Sequence, residues 1–565
     1  MKKKIIFFLI IFSFVSAEIT LCKDVYNTIE PEKFSEIKPN TKLRYGKFKK
    51  FVVVTANDYA SEIGYEILKE GGSAADAAIA IQLTLGLVEP QSSGLGGGLF
   101  ITYFDNKTKI VSSFEGREEA PKSLKDEVFL DENGDPKKFF DAVIGGASVG
   151  VPATLRTLYE IHKDHGELEW KQVIKPVIDL SNNGFFPPNR LINALKKEKF
   201  LFKIYPNSIF RKILESPEKI FFNDQYTETL EKISKNFLNF YTDDIAKNIV
   251  AEVKNSKNSG QLSLRDLQEY KIVKNNALCH KLESGYKICG PNLPSSGTIC
   301  TIQGLILFES LYRNLNNSGE GIIYINDLLN ILNFIYNKRD HELADPNFVN
   351  INQEELFNKN RLVNEFKEFE KFNKNQLNSE IYNLQQIFNS TSHFSIIDEK
   401  KNVLSATSSI ENSFGSRLFT NGFFLNNQLT DFTFEKIDKF GKLKNNRPEG
   451  GKRPLSSMAP LIIFDQNNKF VLTVGSPGGK AIISYVIKSL VNILFEKKSI
   501  KFAIESPNYI RIRNKTYIED EKLNDYLDVK GLKRSLTSGI SIIKNVNDNY
   551  IAGTDFRRDG TVRGK

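Results

Sequence analysis

The chain has 565 residues, 40% of them hydrophobic and 26% charged, and a formal net charge of +9. Those fractions are those of a globular protein, with room for one large layered domain or several small ones. So small a charge on so long a chain, with no basic run interleaved with aromatics, excludes a nucleic-acid footprint.

Residues 1–17 read as a targeting segment. Lys2-Lys3-Lys4 is basic, Ile5 to Phe14 is apolar, and Val15-Ser16-Ala17 is a small-residue cleavage site before Glu18. The apolar run is too short to cross a bilayer and no second one could, so the expectation is an exported protein, periplasmic or extracellular, with no stable membrane span. Export permits disulfides. Among Cys22, Cys279, Cys289 and Cys300, the middle pair flanks Lys281 to Lys287, which could be a hairpin. A Cys279–Cys289 bridge and two separate buried thiols are both open.

Residues 51–55 predict a strand. Asp58 to Lys69 has helical periodicity and stops at Gly71-Gly72; Ser73 then caps a second helix, answered by Asp76 in a capping box. Ala74 to Leu87 is apolar nearly all round, which predicts a helix buried in a layered core. Gly94-Leu95-Gly96-Gly97-Gly98 leads into a strand over 99–104. A phosphate cradle needs strand, glycines, helix; the order here is helix, glycines, strand, which predicts close backbone packing instead. Residues 150–250 are mostly amphipathic helix, and His162 and His165 there read as surface, without a ligand pattern. No metal or cofactor is expected. Residues 315–390 are rich in Asn and Lys, and the part from about 360 reads as a polar linker. Strand patterning returns at 393–397, 403–409, 422–425, 461–464 and 470–474, followed by a helix over 481–495. Strands at both ends with helices between predict an α+β layered fold.

The chemistry is expected where the polar run meets the first of these strands, at Asn389-Ser390-Thr391-Ser392-His393. A hairpin centred on Lys400 pairs residue i with residue 800 − i, which sets Thr391 opposite Ser409. A hydroxyl is a weak nucleophile unless a base stands beside it. Cutting the chain before Thr391 frees an α-amine with a reference pKa of about 7.7–8.0, an adequate base near neutral pH. The same hydroxyl can make the cut by attacking the Ser390 carbonyl. Taken alone, these five residues also fit an ordinary threonine at a strand edge.

Eight segments in order carry more. They are Glu70 to Ala78, Val88 to Gly98, Glu115-Gly116-Arg117-Glu118-Glu119-Ala120-Pro121, Thr391-Ser392-His393-Phe394-Ser395, Leu425-Asn426-Asn427-Gln428, Arg453-Pro454-Leu455-Ser456-Ser457-Met458, Gly475-Ser476-Pro477-Gly478-Gly479 and Asp555 to Gly560. Together, over residues 50 to 560, they resemble the γ-glutamyltransferases, also called glutathione hydrolases. The resemblance implies a four-layer αββα sandwich of the N-terminal-nucleophile hydrolase type. It implies a precursor that splits into a large subunit, residues 18–390, and a small one, residues 391–565, which together form one domain. It implies Thr391 as nucleophile exposed by cleavage after Ser390, Ser409 as the hydroxyl beside it, and Gly478 and Gly479 as the oxyanion hole. Arg117, Ser456 and Ser457 would hold the α-carboxylate of a γ-glutamyl donor, and Asp431 with Gln428 its α-ammonium. The partners so implied are a donor such as glutathione and a water, amino-acid or peptide acceptor. Two features depart from the family pattern: Glu411 stands where Asn is common in the ammonium pocket, and the loop 433–452 offers Phe440 as its lid aromatic in place of a tyrosine. Glu411 is two residues beyond Ser409 and so is expected on that strand's face near the nucleophile. Two readings are open, one in which it joins Asp431 on the ammonium and one in which it points to solvent and Asn412 or Gln428 takes over its role. The alternatives are a glutaryl-amide acylase of the cephalosporin type, a poly-γ-glutamate hydrolase, and an inactive exported binding protein.

Overall fold

The computed structural model describes residues 43–316, 325–373, 390–438 and 440–565. The targeting segment, Cys22 and residues 374–389 of the polar run lie outside the described residues.

The expected local structure forms at the N-terminal end of this span. Val52–Thr55 is a fully buried strand and Asp58–Lys69 a helix that Asn57 caps through a bond from the Tyr59 amide. Ser73 and Asp76 make the capping box, and every residue of the helix Ala74–Val88 is buried. That helix can be buried on all sides because its small residues let neighbouring layers close on it.

Two seven-stranded sheets, each antiparallel throughout, form the centre. One runs Thr561–Gly564, Val52–Thr55, Ser392–Ile397, Val403–Ser409, Gly98–Phe104, Val111–Gly116, Val273–Asn276. The other runs Tyr45–Phe48, Asn549–Thr554, Ser541–Val546, Phe470–Gly475, Leu461–Phe464, Lys287–Gly290, Leu278–Lys281. They face each other through Val54, Ile397 and Val403 on one side and Ile462, Ile543 and Ala552 on the other. Each buried Val or Ile side chain of this kind contributes about 1.5–3 kcal/mol. The outer face of the first sheet carries the helices Ala74–Val88 and Thr154–His165; that of the second carries Gly297–Asn316 and Ile482–Leu490. The result is the four-layer αββα sandwich.

The hairpin at the centre of the first sheet has the expected register, with Ser392 opposite Ser408 and Ser395 opposite Ser405. It lies between Val52–Thr55 and Gly98–Phe104, so it is held on both edges.

Three expectations are corrected or resolved. The polar linker does not begin near 360, because Lys359–Asn373 is a helix that buries Leu362 and Phe366, and Ile325–Glu342 buries Leu328, Leu332 and Ile335. Asn and Lys on their outer faces obscured an apolar stripe. His162 and His165 are half-buried, not surface: His165 stacks on Tyr103 at 4.1 Å and His162 Nε2 lies 2.9 Å from the Leu168 carbonyl oxygen. Cys279 and Cys289 pair across Leu278–Lys281 and Lys287–Gly290 and form a disulfide, while Cys300 is a buried thiol.

Candidate active site

Thr391 stands just before the strand Ser392–Ile397 and is 2% exposed. Its hydroxyl donates to the carbonyl oxygen of Ser390 at 2.7 Å. The Ser409 hydroxyl donates to the same oxygen at 3.0 Å and lies 3.1 Å from Thr391 Oγ1. The hairpin register therefore brings these two hydroxyls together on one peptide bond. The Glu411 amide donates to Ser409 Oγ at 2.9 Å, and Arg558 Nη1 donates to the Thr391 carbonyl at 2.9 Å, so both sides of the junction are fixed. The neighbouring pair is equally rigid. His393 Nδ1 is 2.8 Å from Thr407 Oγ1, and burial lowers the imidazole to about 3, so it packs as a neutral ring.

The cleft beside Thr391 is small and half-open and brings together Arg117, Ser409, Glu411, Gln428, Asp431, Ser456, Ser457 and Gly479. Arg117, at the end of the strand Val111–Gly116, is fully buried. Its Nε donates to the Pro454 carbonyl at 2.8 Å and its Nη2 to Asp431 Oδ2 at 2.6 Å. Gln428 Nε2 donates to the same Asp431 oxygen at 2.7 Å. The groups expected to hold a carboxylate and an ammonium thus neutralise each other. Three buried polar atoms here have no hydrogen-bond partner among the described residues: Arg117 Nη1, Gln428 Oε1 and Ser457 Oγ. Ser456 Oγ accepts from the Met458 amide at 3.1 Å. Leaving buried donors and acceptors without hydrogen bonds is costly; Arg117 Nη1 is offset in part by Glu118 Oε2 at 3.6 Å.

Gly478 and Gly479 have φ of 133° and 57°, a backbone region open to glycine, and a Cβ on Gly478 would stand 2.7 Å from the Tyr485 ring. Gly479 lines the cleft; Gly478 is the residue before the turn Gly479–Ala481.

Glu411 is in the cleft for a different reason from the expected one. The strand ends at Ser409, and Glu411 lies beyond it in a turn at φ 75°, so strand alternation does not direct its side chain. Instead Asn427 Nδ2 donates to Glu411 Oε2 and holds it 2% exposed. Burial, and then the charge of Asp431, push its carboxyl well above the ordinary carboxylate range. Phe440 is 83% exposed and does not cover the cleft.

Four residues were given no role by sequence reasoning, although Asn427 and Arg558 lie within two of the segments singled out above. Arg339 and Lys480 line the cleft, Asn427 positions Glu411, and Arg558 holds the Thr391 carbonyl. Lys480 and Asn427 each adjoin a residue already singled out, whereas Arg339 lies within the stretch read as polar and only its position on a half-buried helix reveals it.

The family model for gamma-glutamyltranspeptidase matches residues 60–564. A glutathione hydrolase proenzyme of Bacillus subtilis (strain 168) is 31% identical over 546 residues, 91% of each chain. The gamma-glutamyltranspeptidase of Helicobacter pylori is 26% identical with a TM-score of 0.51, covering 60% of this chain and 93% of that one. The cephalosporin acylase of Bacillus halodurans, with a TM-score of 0.75 and 18% identity, covers 95% of this chain and 99% of its own, and shares the fold.

Proposed function

Because the chain belongs to the gamma-glutamyltranspeptidase family, we propose that it is an exported precursor that cuts itself between Ser390 and Thr391 and then acts as a γ-glutamyltransferase and glutathione hydrolase. The observation that carries this reading is the Thr391 hydroxyl, 2.7 Å from the Ser390 carbonyl oxygen and in one cleft with Arg117 and Asp431.

In the cut, Thr391 Oγ1 attacks the Ser390 carbonyl carbon, the C–N bond breaks, and the hydroxyl proton passes to the nitrogen. The resulting ester is opened by water, which leaves a carboxylate on Ser390 and a free hydroxyl and α-amine on Thr391. Residues 18–390 and 391–565 become the large and small subunits. The new amine is the base that activates its own hydroxyl.

A γ-glutamyl donor replaces the Arg117–Asp431 ion pair with two new ones. Its α-carboxylate meets Arg117, Ser456 and Ser457, and its α-ammonium meets Asp431, Gln428 and Glu411. Thr391 Oγ1 then forms an ester with the carbonyl carbon of the γ-glutamyl amide, the amide C–N bond breaks, and the departing amine takes the proton. Backbone N–H groups of Gly478 and Gly479 meet the developing oxyanion. Water or an acceptor amine takes the acyl group and restores the hydroxyl. Two carboxylates in the head pocket favour a donor that carries an ammonium over a glutaryl amide.

Purified mature protein should run as two bands on a denaturing gel, the smaller with the N-terminal sequence Thr-Ser-His-Phe, and should release the chromophore of a γ-glutamyl anilide. An active single chain would overturn the self-cleavage; two bands with no release would overturn the substrate class.

A further inference from the structure

The loop that carries the glycine pair continues into a cationic cluster that the chemistry above does not use. Lys480 follows Gly479 directly in the turn Gly479–Ala481, and the Tyr336 hydroxyl donates to its carbonyl at 2.7 Å. Its ammonium is 3.3 Å from both oxygens of Asp340. Arg339, on the helix Ile325–Glu342, donates from Nη1 to the same carboxylate at 2.7 Å, and Arg513 Nη2 is 3.8 Å from it. Burial works to raise the Asp340 carboxyl, but Lys480, Arg339 and Arg513 outweigh it and hold it well below the usual range. Three cations thus converge on one ionised carboxylate, and of these four side chains the sum is positive. Arg339 and Lys480 both line the cleft that holds Thr391.

The covalent chain sets how near this cluster is to the reaction. Adjacent Cα atoms are about 3.8 Å apart, so Lys480 reaches the ground next to the oxyanion position assigned to Gly479. The two charges of the γ-glutamyl head are matched by Arg117 and Asp431. The part of the substrate that lies near the scissile carbon and is not yet matched is the amine half. That half is the leaving group when the acyl-enzyme forms and the acceptor when it is consumed, and microscopic reversibility gives both the same ground.

Resting on the γ-glutamyl reading above, we propose that Arg339 and Lys480 form a subsite for a free carboxylate on the amine half of the reaction. These two side chains would then be what makes the amine half, as leaving group or as acceptor, better bound with a free carboxylate than as a neutral amide or anilide. A guanidinium supplies a planar fork for that carboxylate and the ammonium a mobile point charge. Asp340 holds both cations at the cleft edge and competes with the ligand, which tempers the affinity and lets the leaving peptide depart.

The test uses mature, self-cleaved protein and a matched donor pair: a γ-glutamyl dipeptide with a free C-terminal carboxylate, and the same dipeptide with a C-terminal amide. The wild-type protein should favour the free acid by about tenfold in kcat/KM, the scale of one charge-assisted contact in a partly wet cleft. Lys480→Met should bring the ratio near one and Lys480→Arg should keep it. Asp340→Asn, which releases both cations from their shared anion, should raise it. The ratio is taken within each variant, so partial maturation lowers both donors together. If Lys480→Met yields no mature protein, Asp340→Asn decides, a rise supporting the subsite and an unchanged ratio overturning it. Equal turnover of the two donors by the wild type, or an undiminished preference in Lys480→Met, overturns the subsite and leaves the γ-glutamyl reading standing. No turnover of either donor or of a γ-glutamyl anilide overturns both.

Discussion

In the proposed chemistry a single hydroxyl performs two reactions. Thr391→Ala should therefore remain one band on a denaturing gel and release no chromophore, while Thr391→Ser should keep part of each activity. Cleavage of the alanine variant would move the nucleophile to Ser390 or Ser392. Glu411 bears on recognition instead. It is buried beside Asp431, and two neighbouring carboxyls without a cation favour a proton that a zwitterionic donor would displace. Glu411→Gln should weaken γ-glutamyl donors about tenfold and leave a glutaryl analogue, which lacks the ammonium, little changed. Equal losses on both would show that Glu411 does not meet the ammonium. Glu118 bears on stability. Neither of its carboxyl oxygens has a hydrogen-bond partner among the described residues, and burial raises it to about 8 even though Arg117 Nη1 lies 3.6 Å away. A carboxyl whose folded value is raised contributes fully below its unfolded value, and that contribution is lost as pH rises through the folded one. Between about pH 4.3 and 8 Glu118 should thus cost the fold up to a few kcal/mol. In the uncut Thr391→Ala background, Glu118→Gln should flatten the fall in stability between pH 5 and 8.5, measured by denaturant titration. An unchanged slope would show that Glu118 is not the group responsible.

The element that places the chemistry is the hairpin of Ser392–Ile397 and Val403–Ser409, and its precision depends on its neighbour. Gly97, just before the strand Gly98–Phe104, lies so close that a Cβ there would stand 2.1 Å from the Ser409 carbonyl oxygen, a backbone atom that cannot rotate away. Gly97→Ala should push Ser409 off Thr391 and slow or abolish cleavage, as seen on a denaturing gel over time, while the other strands still fold. Normal processing would mean that the Thr391–Ser409 contact is not needed. The hairpin was legible because alternation and a polar turn define its register. Glu411 was only half legible. Strand alternation stops at Ser409, and beyond it the path belongs to a turn in which Glu411, Phe414 and Arg417 all have positive φ. That turn is held by distant partners, as where Asn427 Oδ1 accepts from the Asn412 amide at 2.9 Å.

Across the whole molecule, the two expected subunits share both sheets. In the first, Ser392–Ile397 pairs with Val52–Thr55, and Val403–Ser409 with Gly98–Phe104; in the second, Leu461–Phe464 pairs with Lys287–Gly290. Cutting one bond leaves these ladders intact, so the two pieces should co-elute in gel filtration and separate only in denaturant. Separation under native conditions would contradict a shared domain. Among the described residues no helix is long and apolar enough to cross a membrane. The sequence by itself determined the strands and helices at the N-terminal end of the described span, the capping box and the hairpin register, because these rest on spacing and on side-chain chemistry within a few residues; the expected head-pocket residues came from the resemblance of eight ordered segments to a known family. Tertiary structure alone decided the rest. It paired Arg117 with Asp431, 314 positions apart, joined Cys279 to Cys289, turned a polar-looking stretch into two helices with a buried stripe, and brought Arg339 to Lys480. Those outcomes depend on which surfaces the layers bury against one another, and burial between segments far apart leaves no periodic mark on either.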